Sequence, residues 1–400
     1  MTDRLRVLSI ATLFPSPARP GFGLFVARQA QAAARGDVDL VVANPVPMAP
    51  QPFHRFFNTV AERSLPERGH DWGVEVHYPR FTHLPRAGWR WNPALIARAV
   101  LPLALRLHRE KPFDVIDAQF FYPDGPAAAR IASALDLPLS IKARGSDIHL
   151  WGARPAALRQ MLAAADQAGG LLSVSRALAK DMTALGMFGD RIAVHYTGLD
   201  HALFSPSPRA EARAAVAARA ELGIPADGPL LATVGNLIPL KGQHLVIEAL
   251  AALPGVRLVL AGKGPEGPAL EALAARLGLS DRVHFSGGVA PADLALLLSA
   301  TDAMVLPSER EGLANAWIEA LACGTPLVIT DVGGAREVVG DPSAGRVVER
   351  KAGAIAQAVR DLLTAPPSQH DVAANAAGFS WEANAAQLVD HWRALASSRA

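Results

Sequence analysis

Short apolar runs alternate with alanine-rich amphipathic segments along most of the chain. Residues 6–13 (RVLSIATL) form a largely apolar run, as expected for a strand covered on both faces. The alanine-rich segment from Leu24 to about Arg35 predicts the first helix. VDLVVAN and RIAVHYTG are further strand-like runs, and FDVIDAQ, PLSIKA and LLSVS are short apolar runs that are each followed by a helical segment. This alternation predicts a parallel α/β sheet.

A second strand–helix series follows a change of pattern between Asp200 and Pro229, where prolines flank a charged, alanine-rich segment. We place the linker near Ser205 to Pro208. Helices are predicted at 242–252, 268–277 and 291–299, and the six strand-like runs are PLLATVGN, VRLVLAGKG, RVHFSGG, DAMVLPS, TPLVITD and GRVVE. The last segment, FSWEANAAQLVDHWRALA, predicts an amphipathic helix.

These patterns predict an α/β protein of two Rossmann-like, doubly wound domains that face a central cleft. The expected domains are 1–205, 206–380 and a C-terminal helix, 381–400, that packs back towards the first domain. In such sheets, ligands bind at the carboxyl ends of the strands.

Composition places the chain among globular proteins, because half of its 400 residues are hydrophobic and 19% are charged. No apolar run reaches the roughly 18 residues of a membrane-spanning helix. The first run lacks a small-residue cleavage site, so we interpret it as a buried strand and not as a signal peptide. The single cysteine, Cys323, excludes an internal disulfide and favours a reducing compartment. A cytoplasmic location is expected.

Charge differs between the two halves of the chain. Residues 1–200 hold 23 Lys and Arg against 17 Asp and Glu, and residues 201–400 hold 16 against 20. This asymmetry favours two domains with different partners, but no dense basic cluster with stacking aromatics indicates nucleic acid. Segments 54–68 and 86–111 mix basic and aromatic residues, which suits an anionic membrane surface on the inner face of the cell membrane. The alternative is an ordinary amphipathic helix and loop.

The segment VLAGKGPEG (259–267) matches the G-x-G-x-x-G pattern of dinucleotide-binding loops. It does not follow the first strand of its domain, however. Pro265 and Pro268 also stand where backbone N–H groups would face a pyrophosphate. A tight turn between a strand and a helix is the favoured interpretation.

The segment VGNLIPLKG (234–242) has a different character. A buried strand is expected to end at Gly235, and Lys241 and Gly242 lead into a helix. A lysine at the carboxyl end of a strand and near a helix start can meet a phosphate with its charge while backbone donors meet it too. The alternative is a solvated lysine that caps a loop.

Two glutamates, Glu311 and Glu319, stand eight residues apart in SEREGLANAWIEALAC. Gly312, Leu313 and Ala314 are expected near a helix start, where N–H groups without intrahelical acceptors and a partial positive charge suit a diphosphate. Eight residues are just over two helical turns, so both carboxylates are expected near one face. Carboxylates accept hydrogen bonds from vicinal hydroxyls, which suits the two sugars of a sugar nucleotide. The alternatives are charge complementarity at the helix start and an exposed helical glutamate.

Together these motifs resemble the retaining nucleotide-sugar glycosyltransferases of family 4, which have the two-domain GT-B fold. The resemblance rests on the E-x7-E motif followed by EALACGTPLVITDVGGAREVV, and on VGNLIPLKG, VHYTGLDHALFSP, VSRALAKDM, AGKGP and HFSGGV. In the first domain, PSPARPGFGLFVARQAQAA, FFYPDGPAA and KARGSDIHLW resemble the exopolysaccharide and teichuronic-acid branch.

The resemblance implies a role for each matching residue. Glu311 would hold donor-sugar hydroxyls and Glu319 the ribose diol, while Lys241 and the amides at 312–314 would neutralise the diphosphate. Gly21 and Gly23 would let the first loop approach the diphosphate or the acceptor. The co-substrate would be a UDP- or GDP-linked sugar, with no metal and no other cofactor.

Two positions depart from the pattern of many family members. Asn236 stands where many carry arginine, so Lys241 would act with less cationic help. Arg144 stands where many carry histidine, and it cannot act as a general base. It could instead pair with a phosphate or with an acidic acceptor.

The function implied is transfer of a hexosyl group, with retention, from a nucleotide sugar to a glycan or lipid-linked acceptor in cell-surface polysaccharide or glycolipid biosynthesis. One alternative is a sugar-nucleotide epimerase on the same fold, which would need acid/base carboxylates and histidines in the cleft. Another is a non-catalytic partner in a polysaccharide assembly complex, which the set Lys241, Glu311 and Glu319 disfavours.

Overall fold

The computed structural model describes residues 4–50, 59–84, 86–219, 224 and 227–398, and the chain packs as two compact units. Unit 1 comprises Met1–Gly198 together with Trp381–Ala400, and unit 2 comprises Leu199–Ser380. The division falls before the predicted linker, because that segment already packs within unit 2. The Ser207 amide donates to Ser299 Oγ (3.4 Å), and the Ser207 carbonyl accepts from Gln369 Nε2 (3.0 Å).

The strands of unit 1 that the structure describes form one large sheet and one small pair. They are β1 (Leu5–Ile10), β2 (Val38–Ala43), β3 (Val46–Met48), β4 (Arg68–Asp71), β5 (Val74–His77), β6 (Arg80–Thr82), β7 (Val115–Ala118), β8 (Leu139–Ala143), β9 (Gly170–Ser173) and β10 (Ile192–Val194). The large sheet has the order β10-β9-β8-β7-β1-β2-β5-β4, and β3 pairs with β6. All these pairings are parallel except β4 with β5. The predicted α/β class is therefore confirmed for this unit.

Helices connect the parallel strands of unit 1 and cover its sheet. They are α1 (Leu24–Arg35), α2 (Val60–Arg63), α3 (Asn92–Glu110), α4 (Asp124–Leu135), α5 (Pro155–Gln167) and α6 (Arg176–Ala184). Strands β7 and β8 are buried along their whole length, which explains why the sequence shows continuous apolar runs there. The β4–β5 hairpin was not predicted, because β4 is a polar edge strand (RGHD) without an apolar pattern.

Unit 2 has a single sheet in the described part of the chain. Its strands are β11 (Leu230–Val234), β12 (Arg257–Ala261), β13 (Val283–Gly287), β14 (Ala303–Leu306), β15 (Leu327–Thr330) and β16 (Gly345–Val348). Its helices are α7 (Arg209–Ala217), α8 (Gln243–Leu250), α9 (Gly267–Arg276), α10 (Pro291–Ala300), α11 (Asn315–Ala322), α12 (Ala335–Val338), α13 (Ala352–Thr364) and α14 (Gln369–Ala374). The strand order is β13-β12-β11-β14-β15-β16, all parallel.

The strand order of unit 2 reverses direction between β11 and β14. From β11 the chain builds outwards through β12 and β13, and it then returns to the other side of β11 to place β14. The loops that follow β11 and β14 therefore leave the sheet in opposite directions and open a crevice at its carboxyl edge. In open α/β sheets this switch point is where ligands bind.

The C-terminal helix, α15 (Trp381–Ser397), belongs to unit 1. Its apolar face packs with α1 in the unit 1 core, where Trp392 is buried. Trp392 Nε1 donates to Asp117 Oδ1 (3.1 Å), and Asn384 Nδ2 donates to the Tyr196 carbonyl (2.5 Å). Because buried hydrogen bonds are directional, these contacts fix the register and orientation of α15 on unit 1, which apolar packing alone would not do.

A buried histidine completes the attachment of α15. His195 Nε2 lies 2.8 Å from the Asn384 carbonyl, so Nε2 carries the proton and Nδ1 accepts from Lys142 Nζ (2.8 Å). Burial, together with the charge of Lys142, lowers the pKa of His195 to about 2. The unfolded chain takes up this proton near pH 6.5 and the native state does not, so stability is lost as the pH falls below 6.5.

We expect the free energy of unfolding of wild type to fall by about 2 kcal/mol more than that of His195→Gln between pH 7 and pH 5. Denaturant unfolding followed by tryptophan fluorescence measures this, because six of the seven tryptophans lie in unit 1. His70→Gln, at an exposed position of the same unit, is the control and should keep the wild-type pH dependence. An unchanged pH dependence in His195→Gln would contradict the assignment.

Candidate active site

The switch point of unit 2 brings together two of the residues predicted from the sequence. Lys241 ends a 3₁₀ turn (Pro239–Lys241) that leads from β11 into α8, and Glu311 lies in the loop after β14. Lys241 Nζ is 2.5 Å from Glu311 Oε1, and the two side chains are only 20% and 12% exposed. The Coulomb attraction between two charges so sheltered from water is larger than on an open surface, and the desolvation of both groups offsets part of it.

Glycines allow the loops around this ion pair to pack backbone against backbone. Gly242 has φ +72°, and a Cβ there would lie 2.4 Å from the Pro307 carbonyl oxygen. Gly333 has φ +51°, and a Cβ there would lie 2.2 Å from the Glu311 carbonyl oxygen. The Glu309 amide also donates to the Leu240 carbonyl (2.7 Å). The three loops that follow β11, β14 and β15 thus form one interlocked surface.

A buried serine and a buried threonine position Glu311. Ser308 Oγ donates to Glu311 Oε1 (2.7 Å), and Thr330 Oγ1 donates to the Ser308 carbonyl. The sequence interpretation missed both residues as part of the site. A signal was present, because each follows or ends a buried apolar strand at the edge where Glu311 lies.

The helix after β14 begins later than the sequence suggested. α11 starts at Asn315 with Ala314 as its N-cap, so Glu311, Gly312 and Leu313 precede it in the loop. The expectation that both glutamates share one helix face was therefore wrong. The cause is a tertiary contact, since the Gly312 carbonyl accepts from the Gly334 amide (2.9 Å) of the loop after β15 instead of starting a helical ladder.

The other residues predicted in unit 2 lie on the same loops or on the helix that follows. Leu313 and Ala314 are buried, and Glu319 is half-buried in the middle of α11. Asn236 is exposed directly after β11, and its carbonyl accepts from Gln243 Nε2 (3.0 Å). Among the residues that the structure describes, no cluster of three or more His, Cys, Asp or Glu could hold a metal ion.

The glycine pattern at 259–267 has a packing explanation. A Cβ at Gly262 would lie 1.8 Å from the Gly235 carbonyl oxygen, and one at Gly264 would lie 2.2 Å from the Leu237 carbonyl oxygen. The loop after β12 therefore lies directly against the loop that carries Asn236 and leads to Lys241. This contact requires glycine for its own geometry.

The remaining predicted residues belong to unit 1. Arg144 follows β8, where its Nε donates to the Gln119 carbonyl (2.7 Å) and its guanidinium lies 4.8 Å from the Phe25 ring centre. Burial lowers the pKa of Arg144 to about 10, so the side chain stays charged at neutral pH. Gly23 has φ +72°, with a Cβ position only 1.8 Å from the Leu13 carbonyl oxygen, whereas a Cβ at Gly21 would meet nothing within 4 Å.

A carboxyl group that the sequence interpretation did not single out lies at the same edge of the unit 1 sheet. Asp124, at the start of α4, accepts from the Thr12 amide (2.9 Å) and from Thr12 Oγ1 (2.7 Å). Burial raises the pKa of Asp124 to about 7. Its side chain is fully enclosed, so it contributes to the support of the loop after β1 and not to a ligand surface.

The segments predicted to meet a membrane are ordered within unit 1 where they are described. Six apolar residues of α3, including Ile96, Val100 and Leu107, are buried against the core of unit 1. The exposed side of that helix carries Arg98, Arg106 and Arg109, together with Leu105 and Glu110. Residues 54–58 lie outside the described part of the chain. No helix in the described ranges is long and apolar enough to cross a bilayer.

Two doubly wound α/β units, with a sheltered lysine–glutamate pair at the switch point of the second, define a protein of the GT-B class. Residues 21–203 match the sequence profile described as Glycosyltransferase Family 4, and residues 216–379 match the profile described as Glycosyl transferases group 1. The chain belongs to the family 4 glycosyltransferases.

Curated relatives and solved structures agree with this assignment. The D-inositol 3-phosphate glycosyltransferase of Mycobacteroides abscessus is 38% identical over 220 residues, which are 52% of this chain and 48% of that protein. The enzyme of the same name from Mycobacterium tuberculosis is 39% identical over 216 residues, 51% of this chain and 44% of that protein. The matched region thus spans about half the length of these relatives.

Similarity to solved structures extends over both units. Anabaena HepE in complex with UDP and glucose has a TM-score of 0.75 at 22% identity, covering 98% of this chain and 100% of that chain. Sucrose-phosphate synthase from Thermosynechococcus elongatus has a TM-score of 0.78 at 20% identity, with the same coverage. At these identities the similarity shows the shared fold.

Proposed function

We propose that this protein transfers a sugar, with retention, from a UDP- or GDP-linked donor to a glycan or lipid-linked acceptor in cell-surface polysaccharide or glycolipid biosynthesis. The observation that carries the proposal is the Lys241–Glu311 pair at the switch point of unit 2, sheltered from water and held by Ser308. It places one cation and one carboxylate where a nucleotide-binding sheet receives its ligand.

Each charge has a chemical task in such a transfer. Negative charge grows on the departing diphosphate while the sugar carbon becomes cation-like, and fixed positive groups favour that state over the bound substrate. Lys241 and the backbone amides at 312–314 are proposed to meet the diphosphate. Glu311 is proposed to hold hydroxyls of the donor sugar. The absence of a metal from this reaction is part of the proposal, because Lys241 and the amides supply the positive field.

Glu319 is proposed to hold the ribose diol of the nucleotide. It lies about one turn into α11, the helix that follows the Glu311 loop and begins at Asn315. Its half-buried carboxylate can accept two hydrogen bonds from vicinal hydroxyls. The HepE structures that hold UDP and UDP-glucose support a uridine donor for a protein of this fold.

A panel of UDP, GDP, ADP and their common sugar conjugates, compared by thermal shift, tests the donor assignment. We expect one nucleotide family to raise the unfolding temperature of wild type and to lose that effect in Glu319→Ala. Glu271→Ala, at an exposed glutamate of α9, is the matched control and should respond as wild type does. Equal shifts in Glu319→Ala and wild type would remove the ribose role.

Contact with an anionic membrane is proposed as a surface interaction of unit 1. Its support is the three exposed arginines of α3, Arg98, Arg106 and Arg109, since most apolar residues of that helix are already buried. Such contact would be electrostatic and would weaken steeply with salt. Flotation with anionic vesicles at low and high salt measures it, and a protein that stays with the soluble fraction at low salt would contradict it.

A further inference from the structure

A cavity of unit 1 lies outside the proposed donor chemistry. It is open, has a volume of about 460 Å³ and is lined by Trp89, Arg90, Arg154, Pro155, Ala156 and Arg159. We call it the Trp–Arg cavity. Its size falls within the range of small-molecule sites.

Trp89, the aromatic residue of the lining, is held by tilted and edge-on ring contacts with Trp151 and Tyr122. The ring centres of Trp89 and Trp151 are 5.5 Å apart, and those of Tyr122 and Trp151 are 4.8 Å apart. The Tyr122 hydroxyl also donates to the Trp89 carbonyl (2.7 Å), and burial raises the pKa of Tyr122 to about 12, so this donor keeps its proton. Trp151 ends the turn Asp147–Trp151 after β8, which places the cavity near the carboxyl edge of the unit 1 sheet.

Arginine side chains supply the charge of the cavity. The Arg154 guanidinium lies 4.7 Å from the ring centre of Trp151 and 5.0 Å from that of Trp89, and the Arg90 guanidinium lies 5.5 Å from the ring centre of Trp89. Stacking occupies the faces of a guanidinium and leaves its N–H edge available to an oxyanion. Arg159 follows on α5, whose N-terminal turn also lines the cavity and carries partial positive charge.

No acidic side chain balances these arginines within the described part of the chain. The lining contains no Asp or Glu, and Arg90, Arg154 and Arg159 form none of the ion pairs found among the described residues. Three cations around one cavity repel each other, and the natural compensation is a bound anion.

A larger cavity of unit 1 shows the contrast. It has a volume of about 1120 Å³ and is also rich in arginine, but Glu67 and Glu110 stand in its lining. Arg106 is 3.6 Å from Glu110, and Arg80 donates to the Leu65 carbonyl (2.7 Å). Acidic side chains of the protein thus balance part of the positive charge in this larger cavity, whereas none does so in the lining of the Trp–Arg cavity.

We propose that the Trp–Arg cavity binds a phosphate group carried by the acceptor, with the group that bears the phosphate against the Trp89 ring. This inference rests on the proposed glycosyl transfer, for which unit 1 receives the acceptor. Phosphate oxygens match the forked N–H edges of arginine, and the half-buried indole offers an apolar surface beside them. The phosphate has two sources, a soluble sugar phosphate or a lipid-linked one.

Binding is measured by titration calorimetry with inorganic pyrophosphate and with glucose 1-phosphate, using wild type, Arg154→Gln and Arg159→Gln. Arg35→Gln, at an exposed arginine in the last turn of α1 and outside the cavity, is the matched control. We expect Arg159→Gln and Arg154→Gln to weaken binding by about tenfold or more, because each removes a charge-assisted contact to the anion. Arg35→Gln should bind as wild type does.

A second arm separates the two sources of phosphate. Flotation is compared for phosphatidylcholine vesicles with and without phosphatidic acid, on the same four proteins. Calorimetric binding that depends on Arg154 and Arg159 supports a soluble phosphate. Flotation that depends on them, without calorimetric binding, supports a lipid-linked one. Equal behaviour of all four proteins in both arms overturns the proposal, as does the absence of binding in both.

Failure of this proposal is distinguishable from failure of the glycosyltransferase proposal. The nucleotide thermal-shift panel reports on unit 2, whereas the phosphate probes report on unit 1. Arg159 is exposed and unstacked, so Arg159→Gln should keep the wild-type unfolding temperature even if Arg154→Gln does not. A loss of phosphate binding in Arg159→Gln at unchanged unfolding temperature assigns the effect to the cavity.

Discussion

Replacing Lys241 with alanine is expected to lower turnover by about a hundredfold or more, which corresponds to about 2.7 kcal/mol of transition-state stabilisation. A lysine about 4 Å from a phosphate charge contributes roughly 4 kcal/mol at an effective dielectric constant near 20, before the costs of desolvation. The ion pair with Glu311 reduces this value, because the lysine charge is shared with a carboxylate before the donor arrives. The measurement is kcat and KM with the donor identified by the nucleotide panel.

Two further variants separate the charge of Lys241 from its packing. Lys241→Arg keeps the cation and should retain more activity than Lys241→Ala. Lys351→Ala is the matched control, because Lys351 pairs with Glu349 (2.7 Å) in the same unit but both side chains are more than 70% exposed. The control should keep wild-type turnover. A loss below about threefold in Lys241→Ala, with donor saturating, would contradict the assigned role.

Replacing Glu311 with glutamine is expected to lower kcat by about a hundredfold while nucleotide binding stays close to wild type. Glutamine keeps the length of the side chain and an oxygen that can accept from Ser308, so the loop should hold its conformation. It removes the negative charge that pairs with Lys241 and that can stabilise a cation-like sugar. Turnover and nucleotide-induced thermal shifts, measured together, separate these two effects.

Glu309→Gln is the matched control for this variant, since Glu309 is an exposed glutamate of the same loop. The double variant Lys241→Ala with Glu311→Gln adds a second check, because the two groups form one ion pair. Their effects on stability should be less than additive, with each single variant leaving an unpaired, sheltered group. Loss of nucleotide binding in Glu311→Gln would indicate that Glu311 contacts the nucleotide, and would contradict its proposed contact with the donor sugar.

Much of the fold could be predicted because parallel sheets impose a simple pattern on the sequence. All six strand-like runs of the second series became strands of one parallel sheet, and the helix predicted from Leu24 to Arg35 has those bounds in the structure. The small pair β3–β6 and the β4–β5 hairpin escaped prediction. These strands are short or polar edge strands, so burial on one face leaves little periodic signal.

The candidate site was predictable to the extent that strand ends define it. Lys241 and Glu311 follow neighbouring strands of a parallel sheet, so their proximity follows from the topology. The start of α11 at Asn315 could not be predicted from the sequence. It depends on the hydrogen bond from the Gly334 amide to the Gly312 carbonyl, and Gly334 belongs to a loop distant in sequence. The Trp–Arg cavity could not be predicted from the sequence either, since the packing of Trp89 on Trp151 depends on tertiary structure alone.

The docking of α15 on unit 1 has a consequence for the order in which the protein is made. Unit 2 is complete once residue 380 has left the ribosome, whereas the core of unit 1 lacks a helix until α15 emerges. Until then the apolar site for Trp392 is open, and Asp117 and His195 lack partners that the finished fold provides. The unit that begins first therefore finishes last, and chains interrupted before residue 381 would expose apolar surface that chaperones and proteases recognise.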